Sequence, residues 1–219
     1  MPRRNQQTPS ELDERPLSAA SGVKRLRGAE RRREIAQATL RLIAGLGLPG
    51  VSMARIAAEI DVTDAALYKH YATKEDILIA AYDVLAERVF AWIGAGAGSP
   101  ALDRLQEMGR CHAALFSEDL QGFNIPMSQF NVWIPQDRLR AHVDESHRDI
   151  IRALIQLIEE GKADGSIRPD GDSEVIVSEL YAWIWWDDLS HLRGIDRASI
   201  AKGSAEMFSR ILSDIRSVR

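Results

Sequence analysis

The chain has 219 residues, 45% hydrophobic and 27% charged, with one cysteine and a formal net charge of −4. That length suits one or two domains with a substantial core, the longest apolar runs fall far short of a membrane span, and a lone Cys111 excludes an intramolecular disulfide framework. The charge is uneven: residues 1–75 hold 13 Lys/Arg against 9 Asp/Glu, the remainder 15 against 23, so a basic head on an acidic body can meet a polyanion by one end only.

Residues 1–28 carry Pro2, Pro9 and Pro16 among polar residues with no apolar period, which reads as a disordered basic arm. Its Arg3, Arg4, Lys24, Arg25 and Arg27 suit phosphates or a minor groove. The period predicts a first helix from about Ala29 to Leu46, with Ile35, Thr39, Leu42 and Leu46 inward. Arg31, Arg32 and Arg33 crowd its start against the helix dipole, which points to a compensating phosphate contact. Gly45, Gly47, Pro49 and Gly50 end the helix and turn the chain.

Ser52–Tyr71 reads as two short amphipathic helices around a break of about four residues, a helix-turn-helix. Ser52 and Thr63 stand as N-caps. Ile56, Ala57 and Ile60 share one face of the first helix, and Ala66, Leu67 and Tyr71 line the second. Asp64, Tyr68, Lys69 and His70 are left to face outward, more polar surface than packing explains. Thr73 and Asp76 then form a capping box opening a fourth helix to about Ile93.

Within this head, Ile56-Ala57, Val62-Thr63, Leu67-Tyr68-Lys69-His70-Tyr71 and Lys74-Glu75 resemble, in order and spacing, the TetR family of bacterial transcriptional regulators. The resemblance is strong from about Arg32 to Leu78; beyond it only helix rhythm and chain length agree. One position departs: the family's turn glycine is replaced by Asp61, one of the few residues that tolerate the left-handed conformation. The resemblance implies a homodimer made by the last two long helices, an operator as the DNA partner and an effector pocket inside the second domain.

Gly94–Gly98 is a flexible break, followed by Ser99 and Pro100 at a helix start. Helices are expected over 100–116, 136–162 (stopped by Gly165), 172–192 and 196–215, while the period weakens between Asp119 and Pro135. No stretch alternates with period two, and no internal repeat is present. The expected architecture is all-α, about nine helices: an arm at 1–28, a DNA-binding unit at 29–75 and an effector-binding and dimerisation unit at 76–219.

Catalysis is not expected, because no glycine-rich phosphate loop, G-x-S-x-G, H-E-x-x-H or cysteine pair occurs. Cys111 and His112 are adjacent, so on a helix they diverge by about 100° and cannot act as a nucleophile–base pair. Asp187 and His191 share a face at i, i+4, with Asp188 beside them and His142 and His147 as further ligands; this spacing suits a metal but is common by chance, and neither metal nor cofactor is expected. All five tryptophans lie beyond the DNA motif, and Trp183, Trp185 and Trp186 fall within four positions, so some must line a cavity, an interface or a wet surface.

The reading is a cytoplasmic DNA-binding regulator, a repressor released from a palindromic operator by a small apolar or aromatic effector. DNA contacts are assigned to Ser52, Arg55, Thr63, Asp64, Ala65, Tyr68, Lys69, His70 and Lys74. Effector contacts are assigned to Met108, His112, Phe116, Phe130, Trp133 and Trp185. The alternative is a nucleoid-associated architectural protein on the same fold, with protein partners and no small effector.

Overall fold

The computed structural model describes residues 18–118, 120–132 and 134–217, with side chains from residue 28 onward except over 115–121. Nine α-helices lie among the described residues: α1 Ser18–Leu46, α2 Met53–Glu59, α3 Asp64–Tyr68, α4 Lys74–Gly94, α5 Ala101–Glu118, α6 Ile125–Val132, α7 Asp137–Asp164, α8 Ser173–Leu192 and α9 Arg197–Ile215. The only pairing of strand type among them is one isolated bridge between Ile167 and Arg216, so the all-α expectation holds. No described helix is long and apolar enough to cross a membrane.

The caps read from sequence are formed. Ser52 Oγ accepts the Arg55 amide and Thr63 Oγ1 the Ala66 amide, each at 3.3 Å. Thr73 and Asp76 close their capping box. Further caps stand at Asp172 for α8 and Asp196 for α9. Asp61 sits at φ 52°, the one positive-φ non-glycine among the described residues, as the missing turn glycine requires. Gly165 ends α7 in the left-handed conformation.

Two expectations about α1 are corrected. Its helix begins at Ser18 rather than near Ala29, because Ala19, Ala20 and the Lys/Arg run are good helix formers and no proline follows Pro16 until Pro49; residues 1–17 of the expected arm lie outside the described residues. Its buried stripe is Ile35, Ala36, Thr39, Leu40 and Ile43, while Leu46 is 49% exposed. Leu46 falls on the last turn, where the chain swings back and lays Gly50 against it: a Cβ at Gly50 would stand 2.7 Å from the Leu46 Cβ.

Two apolar clusters fill the molecule. The first joins α1–α4 to α6 and the start of α7, with Ile43, Ile56, Leu67 and Tyr82 meeting Phe123, Phe130 and Leu139. The second lies among α5, the later turns of α7, α8 and α9, around Leu105, Ile158, Leu180 and Trp183. Val89 and Trp92, near the end of α4, pack against both clusters. One helix therefore spans the distance from the helix-turn-helix to the second core, about 30 Å for its 21 residues.

Candidate nucleic-acid interface and effector cavity

Leu67 is fully buried and Tyr71 is 4% exposed, so α3 is anchored by one face and presents the other. Tyr71 is held three ways: its hydroxyl donates to the Arg32 carbonyl (3.1 Å), the Arg32 guanidinium lies 4.3 Å over its ring, and the same guanidinium donates to the His70 carbonyl (3.0 Å). Burial raises the Tyr71 phenol above its ordinary range, consistent with a neutral anchor.

On the outer face Asp64, Ala65 and Lys69 are exposed, His70 is partly so, and Tyr68 is 56% exposed. Ser52 and Thr63 accept backbone amides, yet each hydroxyl keeps its own proton to donate outward. Arg55 reaches back to the Gly50 carbonyl (2.5 Å), and the Lys74 ammonium bridges to the Val51 carbonyl (3.2 Å). The nine residues thus lie on or beside the rim of one short helix pair. Arg55 and Lys74 are tied to backbone across the entry to α2, which sequence spacing did not suggest.

A second site lies where α4, α5, α6, α7 and α8 meet. A cavity of about 70 Å³ is lined by Met108, His112 and Trp185, three of the six residues assigned to an effector. Phe130 is elsewhere, in the first core, edge-on to Tyr82 at 5.4 Å. The reason is helical phase: Met127 and Asn131, four apart on α6, face the cavity, and Phe130 stands about 100° away from Asn131. The side chains of Phe116 and Trp133 lie outside the described residues. Sequence reading missed Trp92, Phe123, His147, Tyr181, Trp183 and Asp188, which complete much of the wall. The signal available was Met127 and Asn131, four apart and so on one face of a helix.

Behind this wall runs a buried polar chain. The Trp183 indole donates to Ser204 Oγ (2.7 Å), Ser204 donates to Asp187 Oδ2 (2.6 Å), and His112 Nε2 meets the same oxygen at 2.9 Å. Ser, His and Asp are together, but the carboxylate sits between the other two. A nucleophilic triad needs the imidazole in the middle, so this arrangement ties α5, α8 and α9 instead of activating Ser204. Asp187 faces His112 and Ser204, and no group of three or more His, Cys, Asp or Glu is gathered for a metal among the described residues. Asp188 points the other way, accepting from the Asn131 amide at 2.8 Å on the cavity wall, and burial pushes its carboxyl up to about 6.

The tryptophan cluster divides as α8 turns. Trp183 is buried and stacked on Phe208 at 4.4 Å, Trp186 lies over Gly203, and Trp185 is 51% exposed. A Cβ at Gly203 would come within 2.7 Å of the Trp186 ring, so glycine there lets α9 approach α8.

Residues 35–81 match the family model described as bacterial regulatory proteins, tetR family. No curated protein matches the chain. Among solved structures, a TetR regulator from Chloroflexus aurantiacus superimposes with TM-score 0.72 at 18% identity, covering 88% of this chain and 100% of that one. A transcriptional regulator from Saccharomonospora viridis in complex with choline gives 0.69 at 21% identity, covering 87% and 100%. The transcriptional regulator FadR from Bacillus subtilis, in complex with stearoyl-CoA, gives 0.68 at 20% identity, covering 84% and 98%. At these identities the likeness is one of fold. Residues 35–81 thus carry a sequence match to the DNA-binding unit of the TetR family, and the described chain as a whole shares the fold of solved TetR-family regulators.

Proposed function

We propose that this chain is a ligand-responsive repressor that holds a two-fold symmetric operator as a homodimer and leaves it when a small molecule occupies the cavity. Residues 29–75 act as the DNA-reading unit and 76–219 as the effector and dimer unit. The course of α4 carries this reading: it is capped at Thr73, just after the outward face of α3, and its far end supplies Val89, Trp92 and Ile93 to the cavity wall. Its near end is fastened to α7, where Glu75 accepts the Leu139 amide (2.9 Å) and Arg138 reaches both Glu75 and Asp76. A ligand that prefers one setting of α4 shifts the spacing of the two heads, and DNA weakens ligand binding by the same factor. Choline and stearoyl-CoA in two proteins of this fold differ widely in size, which supports a small-molecule site while leaving its chemistry to the residues of each chain.

Within the head, Ser52, Thr63, Tyr68, Lys69, His70 and Lys74 serve phosphate oxygens, Asp64 and Ala65 meet base edges, and Arg55 serves either. Lys74→Ala is expected to weaken binding to every duplex alike and to lower the salt slope by roughly one unit. Ala65→Leu is expected to change which duplex is preferred. An operator selected from genomic fragments, titrated beside scrambled duplexes at several salt concentrations, checks both; an unchanged salt slope for Lys74→Ala removes that lysine from the phosphate set.

The dimer surface is assigned to α8 and α9. On α8, Val175, Ala182 and Leu189 recur every seven residues, with Ser178, Trp185 and Leu192 on the interleaved register, a seam for a second helix. Val175, Trp185 and Leu189 are each more than half exposed in the single chain. Leu189→Glu is expected to convert the dimer to monomer without unfolding it, since that side chain carries little of the core. Sedimentation at micromolar concentration decides the matter, and a monomeric unaltered protein rejects the interface.

A further inference from the structure

The polar wall of the cavity is one-sided. Asp188 is 5% exposed and lines it, yet among the described residues no Lys or Arg does. Asn131 spends its amide N–H on Asp188, and its buried Oδ1 on the same wall has no hydrogen-bond partner among the described residues. The imidazole of His112 is directed through Nε2 to Asp187, behind the wall. His147, also lining the cavity, is held below its ordinary range by burial, so it brings no positive charge at neutral pH. The rest of the lining is apolar or aromatic, with Trp92, Phe123, Tyr181 and Trp183 presenting rings.

A neutral apolar guest leaves the Asn131 oxygen unpaired and the Asp188 carboxylate with only the Asn131 amide to offset its charge, and burying such groups is costly. An anion meets a carboxylate. A cation with N–H donors satisfies the Asn131 oxygen and the Asp188 charge together, and its apolar body meets aromatic faces that favour positive charge. The volume of about 70 Å³ limits that body to a handful of heavy atoms, well below the 300–1,000 Å³ typical of larger ligands.

We infer that the effector is a compact organic cation, a protonated amine on a small apolar skeleton, with its ammonium seated between the Asp188 carboxylate and Asn131 Oδ1. This assignment rests on the cavity being the effector site. The full chain is titrated at pH 7.5 and constant ionic strength with n-butylammonium and cyclopentylammonium chloride, and with the matching alcohols, following heat and tryptophan fluorescence. Each ammonium is expected to bind at least about tenfold more tightly than its alcohol, and Asp188→Asn, with folding verified by thermal unfolding, is expected to abolish that advantage. Alcohols binding as tightly as amines overturn the cation assignment but leave the effector cavity standing. An ammonium advantage that survives Asp188→Asn also overturns it, because the charge is then recognised elsewhere. If no probe binds at millimolar concentration, the cavity holds water only, and both the assignment and the effector site fall.

Discussion

Replacing Asp187 with alanine is expected to destabilise the protein by about 3–5 kcal/mol, the order reached when two buried groups, at about 1–3 kcal/mol each, lose their shared acceptor. Asp187 is fully buried and its Oδ2 takes both Ser204 Oγ and His112 Nε2, with Trp183 bonded behind Ser204. The truncation withdraws the acceptor that joins α5 and α9 to α8, and it leaves a void beside the stacked Trp183 and Phe208 rings. For a chain of this size the loss corresponds to a fall in Tm of roughly 6–20 °C. Asp187→Asn, which keeps the shape and an acceptor oxygen, is expected to lose distinctly less. Thermal and urea unfolding of the two variants checks this, and equal stability of Asp187→Ala and the unaltered protein removes the chain's structural role.

The neighbouring carboxylate is expected to behave in the opposite sense. Burial, the largest influence, raises the Asp188 carboxyl from 3.8 to about 6, against the hydrogen bond from Asn131 and the nearby His112, which lower it. Between those two values the folded chain binds the proton that the unfolded chain has released, so stability falls as pH rises through the window. The shift corresponds to something on the order of 3 kcal/mol, fully present as stabilisation below pH 4 and lost above about pH 6. Asp188→Asn avoids the buried charge, and its new N–H can donate to the orphaned Asn131 Oδ1. The variant is therefore expected to unfold at higher temperature than the unaltered protein at pH 7.5, with the gap closing toward pH 4. Paired melts across that range read the difference directly; a variant less stable at pH 7.5 shows that the ionised carboxylate is net favourable. The same substitution is expected to abolish the amine preference, so Asp188 illustrates a binding group kept at a cost in stability.

These two aspartates also show where sequence reading runs out. Side by side on α8, they invite one shared explanation, and the spacing of Asp187 and His191 suggested a metal. A helix turns about 100° per residue, so adjacent carboxylates enter different surroundings: Asp187 faces α5 and α9, Asp188 faces α6 and the cavity. Which surroundings those are depends on partners 17, 57 and 75 residues away in the chain.

What the sequence determined by itself is the local part of the structure. Ser52, Thr63, Thr73 with Asp76, Asp172 and Asp196 cap their helices because a short side-chain oxygen reaches amides two or three residues away, an interaction written in adjacent positions. The helix-turn-helix, its buried Leu67 and Tyr71, its exposed Tyr68 and the strained Asp61 were legible for the same reason. Tertiary structure alone decided the cavity wall. Period on α6 was too short to fix its phase, so Phe130 was placed in the cavity when it packs on Tyr82, and Met127 and Asn131 took its place. Trp92, His147 and Tyr181 joined that wall from α4, α7 and α8 only once the helices were packed. Contacts across long loops carry no signature in spacing, because each helix's own pattern says which face is buried but not which neighbour buries it.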